Sequence, residues 1–280
     1  MEKDIQNTRI AIVGAGHIGQ ALLTAWIDGS QGAAKDLTAK NFVVVEPGAE
    51  KREMLRTRYG VECLEQVADL GACDALLLCV KPQIAPLVLA DLAQLDFMGN
   101  TLVLSPVAGM ACAAIEEALG GNAHVIRFMP NLPLAIARGV QGVCAGSHAT
   151  EADVALANSL FGALGASYWV DEAQMHAITA VSGSGPGYMA AFVAAMAEAG
   201  AEAGLDAQVA EALARDTMES TAAYLRETAK EAGVLCKEVA TPGGTTEAGL
   251  NAMEAAGFSA AVKAGVAAAA QRSSELGAAK

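Results

Sequence analysis

The chain has 280 residues, 53% hydrophobic and 18% charged, a composition that builds a sizeable core and excludes a disordered chain. Its formal net charge of −13 excludes nucleic acid and anionic membrane surfaces as partners, since an acidic surface repels both, but leaves room for a small anionic substrate at a local site. The six cysteines are scattered with no C-x-x-C, and the four histidines form no ligand pattern, so the expectation is core thiols in a reducing compartment and no metal.

The opening residues MEKDIQNTR are polar and of mixed charge, unlike a signal peptide. Glu198 and Lys263 interrupt the two most apolar stretches, so no membrane span is expected and a cytoplasmic protein is the default.

Residues 9–13 read as a short buried strand, followed at once by Gly14, Ala15, Gly16, His17, Ile18 and Gly19 and then by a helical pattern over 20–28. This is G-x-G-x-x-G in the context its mechanism requires, strand then turn then helix. Gly14 makes the tight turn, Gly16 lets the backbone meet a pyrophosphate, and Gly19 lets helix and strand pack closely. His17 is a spacer whose backbone faces the phosphates. The next strand, 42–46, ends in Glu46, placed to accept hydrogen bonds from ribose hydroxyls and to repel a 2′-phosphate, which leans the cofactor towards NADH over NADPH. Two alternatives stand beside this: a solvated strand end, and a 2′-phosphate site at Lys51 and Arg52.

The alternation continues with an apolar strand at 74–80, as a parallel sheet covered on both faces demands, and Pro82 suits the first turn of a following helix. Further strands are expected at 101–105, 124–128, 139–145 and 167–170, with a helix at 151–164. Ligands of such sheets lie beyond the carboxyl ends of the strands. That places Val80, Lys81 and Pro82, the 105–109 loop with Ala108, and Met129, Pro130 and Asn131 on the same edge as Gly14–Gly19 and Glu46.

Beyond residue 171 no strand pattern follows. Ser182-Gly-Ser-Gly-Pro186 opens a helix to Gly204, Asp206 caps another to about Lys230, and two more are expected to Ala256 and from Ser259 to Leu276, with Gly257 between them. Before the third of these helices stands VATPGGTTEAGL, residues 239–250. Gly243 and Gly244 admit close backbone approach, Thr245 and Thr246 offer hydroxyls that can cap the helix, and the helix start offers unpaired N–H groups: a seat for a carboxylate. Ser182 and Ser184 could approach the same substrate, though Ser-Gly before Pro is also an ordinary helix start.

IVGAGHIGQAL at 12–22, CVKPQ at 79–83, RFMPNLP at 127–133, TAVSGSGPGY at 179–188 and VATPGGTTEAGL together resemble the pyrroline-5-carboxylate reductase family over essentially the whole chain. The pairing of SGSGP with PGGTT some sixty residues later is the specific part; the glycine motif is not. The resemblance implies an α/β fold: an N-terminal Rossmann-type doubly wound sheet at 1–170, then an all-helical dimerisation and substrate domain at 171–280. It implies hydride transfer from NADPH or NADH to the cyclic imine 1-pyrroline-5-carboxylate, giving L-proline. Self-association into dimers, and in the family often decamers, comes with it. By resemblance, Val80–Pro82 and Met129–Asn131 line the two ends of the cofactor. Gly243, Gly244, Thr245 and Thr246 receive the substrate carboxylate, with Thr246 as the candidate donor to the ring nitrogen and Ser182 nearby. The rivals are a reductase of a related cyclic imine or hydroxy acid, and a dinucleotide-binding sensor with no chemistry.

Overall fold

Four-residue runs of Val, Ile, Leu and Ala set the centre of the molecule. The strands are β1 (Ile10–Val13), β2 (Phe42–Val45), β3 (Glu62–Leu64), β4 (Ala75–Leu78), β5 (Leu102–Ser105), β6 (His124–Met129), β7 (Gly139–Ala145) and β8 (Gly165–Trp169). Every residue of β1, β2, β4 and β5 is buried, which only a sheet covered on both faces can achieve. The computed structural model describes residues 5–28 and 36–278; Met1–Asp4 of the charged opening stretch lie outside the described residues.

Among the described residues the strands form one sheet in the order β3-β2-β1-β4-β5-β6-β7-β8. All neighbours are parallel except β6 and β7. The expectation of a doubly wound α/β sheet is met, with one refinement: β7 runs antiparallel, because residues 130–138 are too few for the crossover of about a dozen residues that a parallel return needs. The order reverses direction between β1 and β4, the switch point at which such sheets bind ligands.

Helices α1 (His17–Ile27), α2 (Ala49–Tyr59), α3 (Ala85–Leu92), α4 (Cys112–Ala118) and α5 (Glu151–Phe161) cover the two faces. One face buries Ile10, Ile12, Val44 and Leu77 against Leu22 and Trp26 of α1, Leu55 of α2 and Leu160 of α5. Trp26 stacks on Phe42 with ring centroids 5.6 Å apart and donates its indole N–H to the Leu160 carbonyl at 2.9 Å, so α1 is tied to α5 by a polar bond inside an apolar layer. The other face buries Ala11, Val13, Leu76 and Leu78 against Leu89 of α3 and Ile115 of α4. After β8 come α6 (Met175–Ile178) and a π-helical turn at Thr179–Gly183.

The chain divides into two compact units, Met1–Ser184 with Ala269–Lys280, and Gly185–Ala268. The second is helical: α7 (Gly185–Glu202), α8 (Ala207–Thr228), α9 (Ala232–Val239), α10 (Thr245–Ala255) and the first part of α11 (Phe258–Ala278). Asp206 caps α8 by accepting from Gln208 and Val209 N–H, and Gly257, at φ +86°, separates α10 from α11 as expected. The short helix α9 was not anticipated. Among its described residues this unit buries only Gly185, Ala210 and Ala214, while Met189, Val209, Leu213 and Val262 stay exposed. Apolar helices with so little core of their own are built to be covered by another chain. No helix among the described residues is long and apolar enough to cross a membrane.

Candidate functional site

At the carboxyl end of β1 the glycine motif folds as its spacing requires. Gly14 has φ +91°, and a Cβ there would meet Val80 Cγ1 at 2.8 Å and the Cys79 carbonyl at 2.9 Å, so the turn tolerates no side chain. A Cβ on Gly19 would meet the Gly14 carbonyl at 2.6 Å, which is the close helix–loop contact the third glycine serves. Gly16 differs: a Cβ there meets nothing within 4 Å. It is the N-cap of α1, with no side chain capping the helix, so the first-turn N–H groups and the positive end of the helix dipole face open space. The residues present at this helix start fit a dinucleotide. Alongside it opens a cavity of about 590 Å³ lined by Gly14, Pro47, Val67, Val80, Ile84 and Leu95, apolar enough for an adenine ring.

Glu46 is only 6% exposed, so it is not a solvated strand end. One carboxylate oxygen accepts from Ala15 N–H at 3.3 Å and from Lys51 Nζ at 3.0 Å, and the other accepts from Gly48 N–H at 3.1 Å. The acid therefore reaches into the glycine loop itself. Arg52 donates to the carbonyls of Glu46 and Pro47 and pairs with Glu65 at 2.8 Å. Both bases that the sequence offered for a 2′-phosphate are thus already engaged by carboxylates.

Lys81 and Pro82 are exposed at the end of β4, His17 is exposed on the first turn of α1, Ile18 and Ala108 are half-buried, and Met129 and Pro130 are buried at the end of β6. The parallel register of β2, β1, β4, β5 and β6 brings their loops to one edge, where the sequence put them. Asn131 is 8% exposed, and its side chain is committed to the fold: it donates to the Ser182 carbonyl at 3.1 Å and accepts from Val140 N–H at 2.8 Å. The Ser182 hydroxyl donates back to the Ile178 carbonyl at 3.1 Å.

In the second unit the loop 241–244 turns into α10. Gly243 has φ +71°, and Gly244 N–H donates to the Thr241 carbonyl at 2.9 Å. The helix N-cap is Gly244, not a threonine, which corrects the expectation that Thr245 or Thr246 caps it. Both threonines lie inside the first turn, and among the described residues neither hydroxyl has a hydrogen-bond partner. Thr246 is half-buried and opens on a pocket of about 740 Å³ shared with Thr221, Tyr224, Leu235, Cys236 and Leu250. One feature was missed from sequence: Glu247 accepts from Gly243 N–H at 2.8 Å. A carboxylate of the chain itself thus lies against the backbone N–H of the turn read as a carboxylate seat.

Residues 172–276 match the family model described as pyrroline-5-carboxylate reductase dimerisation, and residues 9–109 match that of NADP oxidoreductase coenzyme F420-dependent. The chain is 36% identical over 270 residues to pyrroline-5-carboxylate reductase of Pseudomonas aeruginosa, covering 96% of each, and 35% identical to that of Synechocystis, covering 96% of this chain and 98% of the relative. Among solved structures, the pyrroline-5-carboxylate reductase of Coxiella burnetii superposes with a TM-score of 0.86 at 28% identity, covering 96% of this chain and 98% of that one. The Plasmodium falciparum pyrroline carboxylate reductase, solved with NADP bound, shares the fold at the same TM-score of 0.86 and 24% identity, covering 97% and 99%.

Proposed function

The chain belongs to the pyrroline-5-carboxylate reductase family, and from that membership we infer that it transfers hydride from a reduced nicotinamide cofactor to the cyclic imine 1-pyrroline-5-carboxylate, giving L-proline in the last step of proline biosynthesis. The observation that carries the site reading is the α10 start: a carboxylate-binding turn beside two unengaged hydroxyls. A sensor without chemistry needs no such seat. The exposed apolar helices of the second unit and the dimerisation match support self-association; assembly of dimers into a decamer belongs to the same reading.

When bound, the cofactor supplies a hydride from C4 of its dihydropyridine ring. The chain does the rest. Gly14, Gly16 and Gly19 let backbone N–H groups hold the pyrophosphate, and Val80 and Ala108 border its path. The N–H groups at the start of α10, with Gly243, Gly244 and Thr245, hold the substrate carboxylate, displacing Glu247 from Gly243 N–H. Thr246 directs its hydroxyl to the ring nitrogen. A threonine hydroxyl is a weak acid, but the imine carbon accepts hydride once the nitrogen is polarised or already protonated, so a hydrogen bond to nitrogen suffices. Thr246→Ala therefore lowers kcat/KM by about tenfold, near 1.4 kcal/mol, with kcat falling more than KM rises. Wild-type steady-state constants in that variant would remove Thr246 from the reaction.

For the cofactor, Glu46 supports NADH. Its buried carboxylate lies on the glycine loop where the adenosine ribose approaches, and Lys51 and Arg52 are held by Glu46 and Glu65. Glu46→Ala removes the repulsion and releases Lys51. The ratio of kcat/KM for NADPH to that for NADH is expected to rise at least about tenfold, a shift of ~1.4 kcal/mol. An unchanged ratio would assign the discrimination elsewhere.

A further inference from the structure

Three side chains that the reaction does not use converge behind the cofactor edge. Cys112 opens α4, Cys144 lies in β7 and Glu172 follows β8, and their two Sγ atoms and a carboxylate oxygen are all within 4.8 Å of one another. Both cysteines are 2% exposed. The group is organised by Arg127 of β6, 3% exposed and the cross-strand partner of Cys144. Its Nη1 donates to Glu172 at 3.1 Å, and the same carboxylate oxygen accepts from Cys112 N–H at 2.8 Å. Among the described residues, the Nε and Nη2 groups of Arg127 are buried with no hydrogen-bond acceptor. A buried guanidinium with two unmet donors is costly and marks a place where an acceptor belongs.

We propose that Cys112 and Cys144 are a modification site, a thiol pair that a hydroperoxide closes into a disulfide, with Arg127 serving the oxygenated sulfur formed on the way. A divalent cation fits less well. Glu172 is already matched by Arg127, and a cation would have to displace two thiol protons beside a fixed positive charge. A disulfide is neutral and leaves the Arg127–Glu172 pair intact.

The first step takes place at Cys144. The hydrogen bond from the Cys112 thiol holds the Cys144 thiol below its ordinary value, with the Arg127 charge assisting, while the same bond pushes Cys112 up. Burial, by contrast, pushes Cys73 up to about 11 and Cys79 up to about 12, leaving them inert. Cys144 gives up its proton and its thiolate attacks the peroxide: an S–O bond forms, the O–O bond breaks, sulfur loses two electrons, and the departing alkoxide or hydroxide takes up the proton Cys144 released. The new S–OH oxygen accepts from the idle Arg127 donors. Cys112 sulfur then attacks Cys144 sulfur; the S–S bond forms, the S–O bond breaks, and the hydroxyl leaves with the Cys112 proton as water. Access is short, since the Glu172 side chain is 33% exposed.

Closure brings the sulfurs to about 2 Å and draws on the start of α4. That helix follows directly on the loop carrying Ala108, so, on the cofactor reading above, the disulfide raises the KM for the cofactor several-fold. The test is a peptide map of the wild-type protein after hydrogen peroxide and alkylation of the remaining thiols, with cofactor kinetics in parallel. The expected result is a Cys112–Cys144 linked peptide that dithiothreitol separates, absent from Cys112→Ala and Cys144→Ala. Alkylated Cys112 and Cys144 throughout, Cys144 over-oxidised without a link, or one zinc per chain held by the untreated protein would each overturn the proposal. The link is read without any turnover, so its absence is distinct from a failure of the reductase reading, and a linked enzyme with unchanged cofactor KM would remove the coupling to the loop.

Discussion

Gly16→Val is expected to abolish useful cofactor binding while leaving the fold intact. Gly16 has φ −71° and ψ −165°, extended backbone that valine adopts readily, and a Cβ there touches nothing. The isopropyl group therefore enters the space above the first turn of α1, where the pyrophosphate must reach backbone N–H groups. Losing that approach costs the hydrogen bonds and the dipole contact together, and kcat/KM for the dinucleotide should fall at least about 100-fold, ~2.7 kcal/mol. Thermal melting of the cofactor-free protein should be unchanged. The same change at Gly14 would be uninformative, because positive φ and the contact with Val80 disturb the turn itself. A Gly16→Val enzyme with normal cofactor KM would mean that the dinucleotide does not lie on this loop.

Gly244→Val is the complementary experiment on the other unit. A Cβ at Gly244 would lie 2.6 Å from Thr241 Oγ1 and 2.9 Å from the Thr241 carbonyl, the same carbonyl that Gly244 N–H bonds. The turn must open, and the first turn of α10 moves with it. A displacement of about 1 Å at a reacting group costs on the order of 100-fold. The expected outcome is a fall of that size in kcat/KM for the imine and loss of proline binding in the presence of oxidised cofactor, measured by calorimetry. Binding of the cofactor alone should be retained. If Gly244→Val weakened cofactor binding as much as proline binding, residues 243–246 would not be a substrate seat. The two glycine variants separate the two halves of the reaction.

The features legible in the sequence are those written in local pattern. The glycine motif, the apolar strands β1, β2, β4 and β5, and the Gly257 break each depend on a few adjacent residues and fall where expected. The edge strand β3 escaped because Glu-Cys-Leu at 62–64 is three residues long with one buried side chain. Helix α2 escaped because AEKREMLRTRY is mostly charged and buries only Leu55 and Tyr59. The direction of β7 cannot be read from its own residues, since both directions share one alternation; the length of the preceding connection decides it. At the sites, the glycines, threonines and Glu46 were readable as residue types, but their partners were not. Glu46 reaches Ala15 across 31 positions, and Cys112, Cys144 and Glu172 meet only through the sheet register. The Glu247 contact with Gly243 N–H depends on how the turn closes and carries no signal in the residues alone.

Reduction of 1-pyrroline-5-carboxylate is measured by following dihydronicotinamide absorbance, with NADH and NADPH in parallel. The expected result is stoichiometric conversion to L-proline with a reduced nicotinamide cofactor, and a higher kcat/KM for NADH. Folded, self-associated protein that oxidises neither cofactor in the presence of the imine would contradict the reductase reading.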